Sequence, residues 1–512
     1  MKKTIYKIFA LMLAVVMMLM SLSCISFAGN EFMIPGTDAA EILEDPTNTF
    51  ECYLIDNCVR IIKYLKNDEN VVIPNEIAGY KVTEIASEVF MDNNNIKSVT
   101  IPDTVIEISS FAFESCVNLI EINMSKNILF IGENAFHNTA YFNEKNNWDG
   151  EVLYISNYLV ATDSKISGKY RVRDGVTVVA SSAFKECTLL TEVVFPDSLL
   201  VIGNEAFYNC NSLKNADLPQ NLKSIGVSAF EQCGLETISI PSNVEMVGYN
   251  SFASCEMLDF IEIADDVTDI VSSAFYNTKF YNKQSNWENG VLYIDNHLID
   301  VEPSIVSGDY VVKSGTRTIS DGVFNDCDNL KSVTLNDGIM IVGEWTFANC
   351  DKLESVFLPD SVTTIEASAF RDSDKLESIV IPKNVTTINE SAFYHCDNLK
   401  KVTLNGNIIE IDYGNFESCN ELLTLYGYSN TVAEDYAKEN EIAFVSIGVK
   451  ETKGDTNGDG NISATDARIV LQAVAGTKVL SDEAKKTADV NCDGKITAVD
   501  ARYILQIVAG LK

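Results

Sequence analysis

Thirteen phenylalanines recur along this chain of 512 residues at nearly constant spacing, and this regularity constrains the fold more than any other feature. Most successive steps are 23 residues long, one is 22, and two are 48 and 49. Such a period is typical of repeat proteins, in which small units stack on one another. The phenylalanines are Phe90, Phe113, Phe136, Phe184, Phe207, Phe230, Phe252, Phe275, Phe324, Phe347, Phe370, Phe393 and Phe416.

The surroundings of each phenylalanine repeat as well. Ile or Val usually stands five residues before it, Ala often one before, and Leu often six after. A short alternating run that ends in Pro follows in several copies, as in Ile379-Val380-Ile381 before Pro382. Such alternation predicts a half-buried strand. Because one unit is too small to bury its apolar face, we expect the units to stack, with the strands forming a sheet and the phenylalanines a ladder.

This repeat resembles that of the BspA-like leucine-rich repeat family, with its I-P-x-x-V-x-x-I-x-x-x-A-F-x-x-C pattern. One copy matches throughout, at Ile381, Pro382, Val385, Ile388, Ala392, Phe393 and Cys396. The resemblance covers residues 72–425 and implies a mostly β, curved solenoid with one strand per turn. It also implies end pieces, which we place at residues 29–71, with a hairpin between Phe50 and Tyr80, and at residues 426–447, with a helix followed by a last strand.

The two double-length steps each contain an insert, at Trp148 to Val160 and at Trp287 to Ile299. Two alternating runs around Ser156-Asn157 and around Asp295-Asn296 predict a β-hairpin in each. Inserts of this kind often lie on the binding face of a solenoid. Their aromatic residues are therefore candidates for ligand contact, although as the core of the hairpin they would look the same. These candidates are Trp148, Tyr154, Tyr158, Trp287 and Tyr293.

Most of the 13 cysteines occupy one repeat position, three residues after the phenylalanine. Where cysteine is absent, Thr139, Thr278 or Ser373 takes that position, so we expect side-chain size to matter there and disulfide pairing not to matter. We therefore predict a ladder of small buried thiols. Cys52 and Cys58 are close enough in sequence to pair locally, and the pattern leaves that possibility open.

The N-terminus is typical of an exported protein. Residues 1–28 combine an early group of lysines, an apolar run from Ile8 to Met20 and the small-residue cleavage site Ser26-Phe27-Ala28, which predicts a secretory signal peptide. A lipoprotein cleaved before Cys24 is an alternative that the preceding residues disfavour, because Leu is missing from the usual third position upstream. No later segment is long and apolar enough to predict membrane insertion.

After a linker at residues 448–452, residues 453–512 contain two twelve-residue loops that are 34 residues apart. Calcium takes six to eight oxygen ligands, and loops with acidic or amide side chains at positions 1, 3 and 5 can wrap around one ion. The sequence thus predicts two Ca²⁺ ions. The candidate ligands are Asp455, Asn457, Asp459, Asn461, Ser463 and Asp466 in the first loop, and Asp489, Asn491, Asp493, Lys495, Thr497 and Asp500 in the second.

Each loop runs into a helical segment, at Ala467 to Gly476 and at Ala501 to Gly510, without the helix that opens an EF-hand. This arrangement resembles a type I dockerin. The resemblance implies calcium-dependent folding, binding to a cohesin module of a scaffoldin as in cellulosomes, and pseudo-twofold symmetry that lets either helix face the cohesin. It places the cohesin contacts at Ala464, Thr465, Leu471 and Gln472, and at Ala498, Val499, Leu505 and Gln506; the two leucines could equally pack between the helices.

The composition of the chain disfavours several classes of function. The net charge of −35 disfavours nucleic acid, whose binding depends on Lys and Arg, and three histidines support neither a His-rich metal site nor a Ser-His-Asp triad. Signal peptide, repeats, caps and dockerin leave no room for a catalytic domain. We therefore expect a secreted, non-catalytic subunit of a polysaccharide-degrading complex, whose solenoid binds polysaccharide, cell surface or protein. An adhesin or peptidase inhibitor is the alternative, and a glycoside hydrolase is the third.

Overall fold

The computed structural model describes residues 41–55, 57–406, 408–449, 453–457, 462–491 and 493–509. The signal peptide predicted at residues 1–28 lies outside these residues. The chain divides into two compact units. The first contains the described residues up to Asp300 together with Arg317–Ser320, and the second contains Val301–Thr316 and the described residues from Asp321 onward.

Short strands joined by turns are the main regular structure of both units, and the described residues contain only a few helices. Before the first insert the strands are β1 (Glu41–Glu44), β2 (Phe50–Ile55), β3 (Cys58–Tyr64), β4 (Asn70–Val72), β5 (Glu76–Ile77), β6 (Tyr80–Ile85), β7 (Ser98–Thr100), β8 (Glu107–Ile108), β9 (Glu121–Asn123) and β10 (Phe130–Ile131). From the first insert onward they are β11 (Trp148–Asp149), β12 (Val152–Ile155), β13 (Tyr158–Thr162), β14 (Gly168–Arg171), β15 (Val178–Val179), β16 (Leu190–Val194), β17 (Val201–Ile202), β18 (Asn215–Asp217), β19 (Ser224–Ile225), β20 (Thr237–Ile240), β21 (Met246–Val247), β22 (Phe260–Ile263) and β23 (Asp269–Ile270).

From the second insert onward the strands are β24 (Trp287–Glu288), β25 (Val291–Ile294), β26 (His297–Val301), β27 (Gly308–Val311), β28 (Thr318–Ile319), β29 (Leu330–Thr334), β30 (Ile341–Val342), β31 (Ser355–Phe357), β32 (Thr364–Ile365), β33 (Ser378–Ile381), β34 (Thr387–Ile388), β35 (Lys401–Leu404), β36 (Glu410–Ile411), β37 (Thr424–Ser429) and β38 (Ala443–Val449). The helices are α1 (Ala140–Asn143), α2 (Val432–Glu439), α3 (Ala464–Val474), α4 (Asp482–Ala488) and α5 (Ala498–Val508), with 3₁₀ turns at Lys145–Asn147 and Gln284–Asn286.

Each coil of the solenoid contributes two strands, which corrects the expectation of one strand per turn. The longer strand is the predicted alternating run, as in β16, which pairs in parallel with β14 and β18. The second strand is only two residues long, as in β17, which pairs in parallel with β15 and β19. It contains the Ile or Val that precedes the phenylalanine by five residues, and two residues are too few to produce an alternating pattern in the sequence.

The phenylalanines stack as predicted, within each unit. In the first unit one stack runs from Phe90 to Phe136, and another from Phe184 to Phe275, with successive centroids 4.7–5.5 Å apart. In the second unit the stack runs from Phe324 to Phe416. The rings are nearly or fully buried, so the ladder is the centre of the hydrophobic core.

The cysteine ladder is also present. Cys116, Cys187, Cys210, Cys233, Cys255, Cys350 and Cys396 are buried free thiols. Several of these thiols donate to the carbonyl of the phenylalanine one coil earlier, as Cys116 Sγ does to Phe90 O at 3.0 Å, and Ser373 Oγ makes the same bond to Phe347 O at 2.7 Å. Thr139 and Thr278 instead bond within their own coil, to Phe136 O and Phe275 O, because the inserts begin there.

The inserts and end pieces have the predicted secondary structure. β12 and β13 form an antiparallel hairpin in which Ile155 lies opposite Tyr158, and β11 adds a further antiparallel strand. β2 and β3 form the N-terminal hairpin, in which Cys52 faces Ile61 and Cys58 faces Ile55, so the two cysteines are not cross-strand neighbours. Cys52 is a buried free thiol. At the C-terminal end α2 buries Ala433, Tyr436 and Ala437, and β38 follows it as the last strand.

Candidate functional site in the C-terminal loops and helices

The two C-terminal loop–helix units pack their helices against each other. The interface is apolar and includes Ile469 and Val470 of α3 and Ile504 of α5, which are buried. Each helix starts three residues before the predicted position, because Ser463 and Thr497 cap the first turns. The structure adds α4 between the units, capped by Ser481. Its short polar sequence has no apolar periodicity from which it could be predicted.

Asp466, the twelfth residue of the first loop, is fully buried and closes the loop onto its helix. Its Oδ1 accepts from the backbone N–H groups of Thr456 at 3.0 Å and Asn457 at 3.1 Å. Its Oδ2 accepts from Ser463 N at 2.9 Å and Ser463 Oγ at 2.8 Å, which completes a capping box. Burial raises the pKa of Asp466, but these hydrogen bonds outweigh burial, so the pKa lies below its ordinary value.

Asp500 repeats this arrangement in the second loop, 34 residues later. It is also fully buried. Its Oδ1 accepts from Val490 N at 3.1 Å and Asn491 N at 3.4 Å, and its Oδ2 accepts from Thr497 N at 2.9 Å and Thr497 Oγ1 at 3.2 Å. The two loop–helix units therefore share one pattern of bonds, as expected for an internal duplication.

The first residues of the second loop are folded around a common centre. Asp489 accepts from Asp493 N at 3.1 Å and from Gly494 N at 2.9 Å. Asn491 Nδ2 donates to Asp493 Oδ2 at 3.0 Å, and Asp493 Oδ1 accepts from Lys495 N at 2.8 Å. These bonds bring together the oxygen-bearing side chains that were predicted as ligands, and oxygen is the ligand atom that calcium prefers.

The remaining predicted ligands differ in placement. Asp455 is buried and Asn457 is exposed, whereas Asp459 and Asn461 lie outside the described residues. Within the part of the chain that the structure describes, no three His, Cys, Asp or Glu side chains form a group suited to a metal ion. The donors that the loops offer thus include amide and hydroxyl oxygens, from Asn491 and Thr497, beside carboxylates.

Seven of the eight predicted cohesin contacts are exposed, and Gln506 is half-buried. Leu471 and Leu505 occupy equivalent positions of α3 and α5, and each is 45% exposed. Neither belongs to the apolar cluster between the helices. Val474 and Val508, one turn further on, are each 47% exposed. Sequence reasoning missed these valines, although their matching places in the duplicated helices were a usable signal. The other exposed candidates are Ala464, Thr465, Gln472, Ala498 and Val499.

Two of the five candidate aromatic residues of the inserts are buried in the core, and three are half-buried. Tyr158 is fully buried, its hydroxyl donates to Ser125 O at 2.8 Å, and Tyr154 is 5% exposed with its hydroxyl 2.7 Å from that of Tyr170. Trp148 and Trp287 are half-buried, and each indole N–H donates to a backbone carbonyl six residues earlier, at 2.7 Å. Tyr293 is half-buried. Tyr154 and Tyr158 are thus part of the hairpin core, and ligand contact by the half-buried Trp148, Trp287 and Tyr293 stays a prediction.

Comparisons with known proteins agree with this architecture. The profile of the BspA type leucine rich repeat region matches residues 64–190, 177–300 and 309–437, and that of the dockerin type I domain matches residues 453–507. A comparison with curated proteins gave no match. Within the described residues, no helix combines the length and apolarity needed to cross a bilayer.

Several solved bacterial structures are similar. A leucine-rich repeat protein from Bacteroides ovatus is 22% identical, with 82% of this chain and 100% of that chain covered and a TM-score of 0.27. A leucine rich cell surface protein from Faecalibacterium prausnitzii is 23% identical, with 80% and 99% covered and a TM-score of 0.27. The pneumococcal vaccine antigen PcpA is 19% identical, with 80% and 99% covered and the same TM-score.

Proposed function

The chain belongs to the BspA-type leucine-rich repeat family and carries a type I dockerin domain, and from this we propose that it is a secreted, non-catalytic binding subunit. Its dockerin attaches it to a cohesin module of a scaffoldin, and its solenoid presents a binding surface to polysaccharide, cell surface or protein within a polysaccharide-degrading complex. The proposal of cohesin docking rests on one observation: Leu471 and Leu505 are exposed at equivalent positions of α3 and α5. The same hydrogen bonds anchor the two helices to their loops.

Calcium fits the dockerin loops. Type I dockerins bind calcium in general, and we propose one ion for each loop. In the second loop it would be held by Asp489, Asn491, Asp493, Thr497 and Asp500, with the carbonyl of Lys495, and in the first by Asp455, Asn457, Asp459, Ser463 and Asp466, with the carbonyl of Asn461. The ion supplies positive charge where loop carboxylates would otherwise repel one another, so metal binding and folding of the dockerin are linked.

The domain boundaries follow from the assignment of ligand binding to the solenoid and of docking to the C-terminal domain. We propose that residues 1–28 are removed on export, that residues 29–71 and 426–447 close the ends of the repeats at 72–425, and that residues 448–452 link them to the dockerin at 453–512. Buried apolar side chains in the N-terminal hairpin and in α2 support the two caps, since a solenoid needs its terminal coils covered.

The docking proposal is tested by removing the first ligand of both loops. Asp455→Ala combined with Asp489→Ala in the full chain is expected to unfold the dockerin and abolish capture by an immobilised type I cohesin in calcium. A chelator should do the same to the unchanged chain. Asp45→Ala, in the N-terminal cap, is the matched control and should leave capture intact. Capture that survives the double substitution or the chelator contradicts the proposal.

A glycoside hydrolase is the third candidate function, after an adhesin or peptidase inhibitor, and one pair of carboxyl groups favours it. Glu84 and Glu107 both lie within hydrogen-bond distance of Ser109 Oγ, at 3.2 and 3.1 Å. Burial and the charge of Glu84 raise the pKa of Glu107 to about 8, and a carboxyl group with a raised pKa can act as a general acid near neutral pH. The test is release of reducing sugar from plant polysaccharides by the full chain. Release that is lost in Glu107→Gln would establish hydrolysis in place of the proposed non-catalytic function.

A further inference from the structure

The longer strands of the second unit present one outward-facing column of residues. Val311 lies beside Thr334, and Thr334 beside Phe357, in the sheet β27-β29-β31. Val380 lies beside Thr403 in the sheet β33-β35-β37-β38. β31 and β33 are themselves neighbours, so the two sheets continue one column. We name this column the strand face; it consists of Val311, Thr334, Phe357, Val380, Thr403, Tyr426 and Val445.

Four of the seven residues of the strand face are apolar and exposed, and Thr334, Thr403 and Tyr426 are half-buried. Val311 is 69% exposed, Phe357 60%, Val380 54% and Val445 43%. The residues next to them along the chain point inward: Val356 and Ile379, for example, are buried in the core. Large apolar side chains that recur at one position on successive coils form a contiguous patch, and contiguous exposed apolar patches mark interaction sites.

A second column, two residues earlier on each strand, is rich in hydroxyl groups. Ser332, Ser355, Ser378 and Thr424 belong to it and are exposed or half-buried, and Asp309 and Lys401 are its charged members. Asp309 accepts from Ser332 Oγ at 2.7 Å. The ammonium group of Lys401 lies 4.8 Å from the centre of the Tyr426 ring. Hydrogen-bonding groups and apolar groups therefore alternate across this surface.

The charges on the rims of the strand face neutralise one another. On one side Lys331 pairs with Glu354 at 3.6 Å and Lys400 pairs with Glu377 at 3.7 Å. On the other side Lys383 pairs with Asp360 at 2.6 Å. Although the chain has a net charge of −35, the paired charges on these rims leave little unpaired charge that could attract a strongly charged partner.

The part of the first unit that lies between the two inserts lacks this combination. In its β14-β16-β18 sheet the equivalent outward column places Arg171, Val194 and Asp217 side by side, and Glu262 takes the equivalent position on β22. From β14 to β22 the first unit therefore carries fixed charges at the positions where the second carries Val311, Phe357 and Thr403. Before the first insert its outward column is the short uncharged run Val72, Thr100 and Asn123. The difference is confined to the outward positions, since the inward positions of both units are apolar.

We propose that the strand face binds an uncharged polysaccharide that lies across the coils. The apolar C–H faces of its sugar rings would stack on Phe357 and Tyr426, which are three coils apart, about 14 Å at the usual strand spacing. Its hydroxyl groups would bond to the serine and threonine hydroxyls of the neighbouring column. This inference rests on the proposed function, because it names the ligand of the solenoid in the same docked subunit.

The test measures binding of the full chain to soluble xylan and mixed-linkage β-glucan, with anionic polygalacturonate as a third probe. The chain is expected to bind one or both neutral polymers, and Phe357→Asp with Val380→Asp should weaken that binding at least about tenfold, since apolar burial is lost. Val72→Asp is the matched control. Val72 is 68% exposed at the equivalent outward position of the first unit, and its substitution should change nothing.

The same variants are assayed for cohesin capture and for their melting temperatures. Capture that persists without binding to either neutral polymer overturns this inference and leaves the docking proposal standing. Equal loss in Val72→Asp, unchanged binding in the double variant, or tighter binding to polygalacturonate also overturns it. The substituted side chains are exposed, so an unchanged melting temperature separates loss of contact from loss of fold.

Discussion

The rings of Phe207 and Phe230 stack with their centroids 5.0 Å apart and their planes 1° from parallel. They are one coil apart in the chain, and both are fully buried. Each coil thus packs its buried phenylalanine ring directly against the ring of the next coil, and the stacked rings fix the distance between neighbouring coils. The stability of the solenoid depends on these contacts between neighbouring coils.

Truncation of one ring should therefore be costly. Phe230→Ala removes a fully buried ring between two stacked partners, and we expect it to lower the free energy of unfolding by about 3–5 kcal/mol. Phe260→Ala, at a position that is 53% exposed, is the control and should change it by less than about 0.5 kcal/mol. Urea unfolding of both variants measures the difference, and similar losses in the two would contradict the importance of the stack.

The thiol ladder predicts an order of tolerated substitutions. Cys116 Sγ donates to Phe90 O. In the second unit Ser373 occupies the equivalent position, and its Oγ donates in the same way to Phe347 O. Cys116→Ser should therefore lower the melting temperature less than Cys116→Ala, which removes the donor. Thermal unfolding of the two variants tests this, and the reverse order would show that the hydrogen bond contributes nothing.

The same burial predicts low reactivity. Burial raises the pKa of the Cys116 thiol to about 12, and only the thiolate attacks a disulfide reagent. At pH 8 the buried thiols should react with such a reagent in urea but not in the native protein. Rapid labelling of Cys116 in the folded chain, located by mass spectrometry, would contradict its placement in the core.

Glu107 predicts a pH dependence of stability. Burial and the charge of Glu84, which pairs with Arg60 at 2.6 Å, raise the pKa of Glu107 from its ordinary 4.5 to about 8. The folded state therefore binds this proton more tightly, and its contribution is fully present below about pH 4.5 and lost as the pH rises to 8. Glu107→Gln should be more stable than the unchanged chain at pH 8, with the difference shrinking toward pH 5.

Urea unfolding at pH 5 and pH 8 measures this difference. Glu121→Gln, an exposed position on the next coil, serves as the control and should show no such dependence. If Glu107→Gln and the unchanged chain lose stability in parallel over this range, Glu107 is charged in the folded state and the assignment is wrong.

The equivalence of α3 and α5 predicts redundancy in docking. Leu471→Asp alone and Leu505→Asp alone should each weaken cohesin binding by less than about threefold, because the other helix remains. The double variant should weaken it by about 10- to 100-fold, as buried leucine contacts are lost. Val479→Asp, at a position that is 91% exposed, is the control. Titration calorimetry measures all four, and a single variant as damaging as the double would exclude two equivalent faces.

The spacing of the phenylalanines in the sequence was sufficient to predict the coils, because every coil needs one buried aromatic ring at the same position. It could not reveal the two-residue strands, nor the left-handed residues two positions before and after each phenylalanine. Those turns are occupied mostly by Ser, Asn, Asp and Gly, but also by side chains as different as Glu186 and Trp345, at φ values of 61° and 55°. The neighbouring coils impose this backbone conformation, and the residue type at these positions does not by itself specify it.

In the dockerin, the prediction identified both loops from their acidic residues and missed the role of the caps. Ser463 and Thr497 were assigned to calcium alone, yet each also starts its helix and donates to the buried aspartate of its loop. For the solenoid ligand, the sequence offered the aromatic residues of the inserts as candidates but could not separate ligand contact from hairpin core, because both use the same residues. Burial, which appears only in the structure, places Tyr154 and Tyr158 in the core.

The central claim is that one chain connects a scaffoldin to a polysaccharide, and a bridging measurement tests it most directly. A type I cohesin is immobilised on a sensor surface, the full chain is captured in calcium, and soluble xylan and mixed-linkage β-glucan are passed over it in turn. We predict a second binding signal on the captured chain, with no reducing sugar in the eluate, and loss of both layers on addition of a chelator. Capture without a second signal from either polymer, or a captured chain that resists the chelator, would contradict the account.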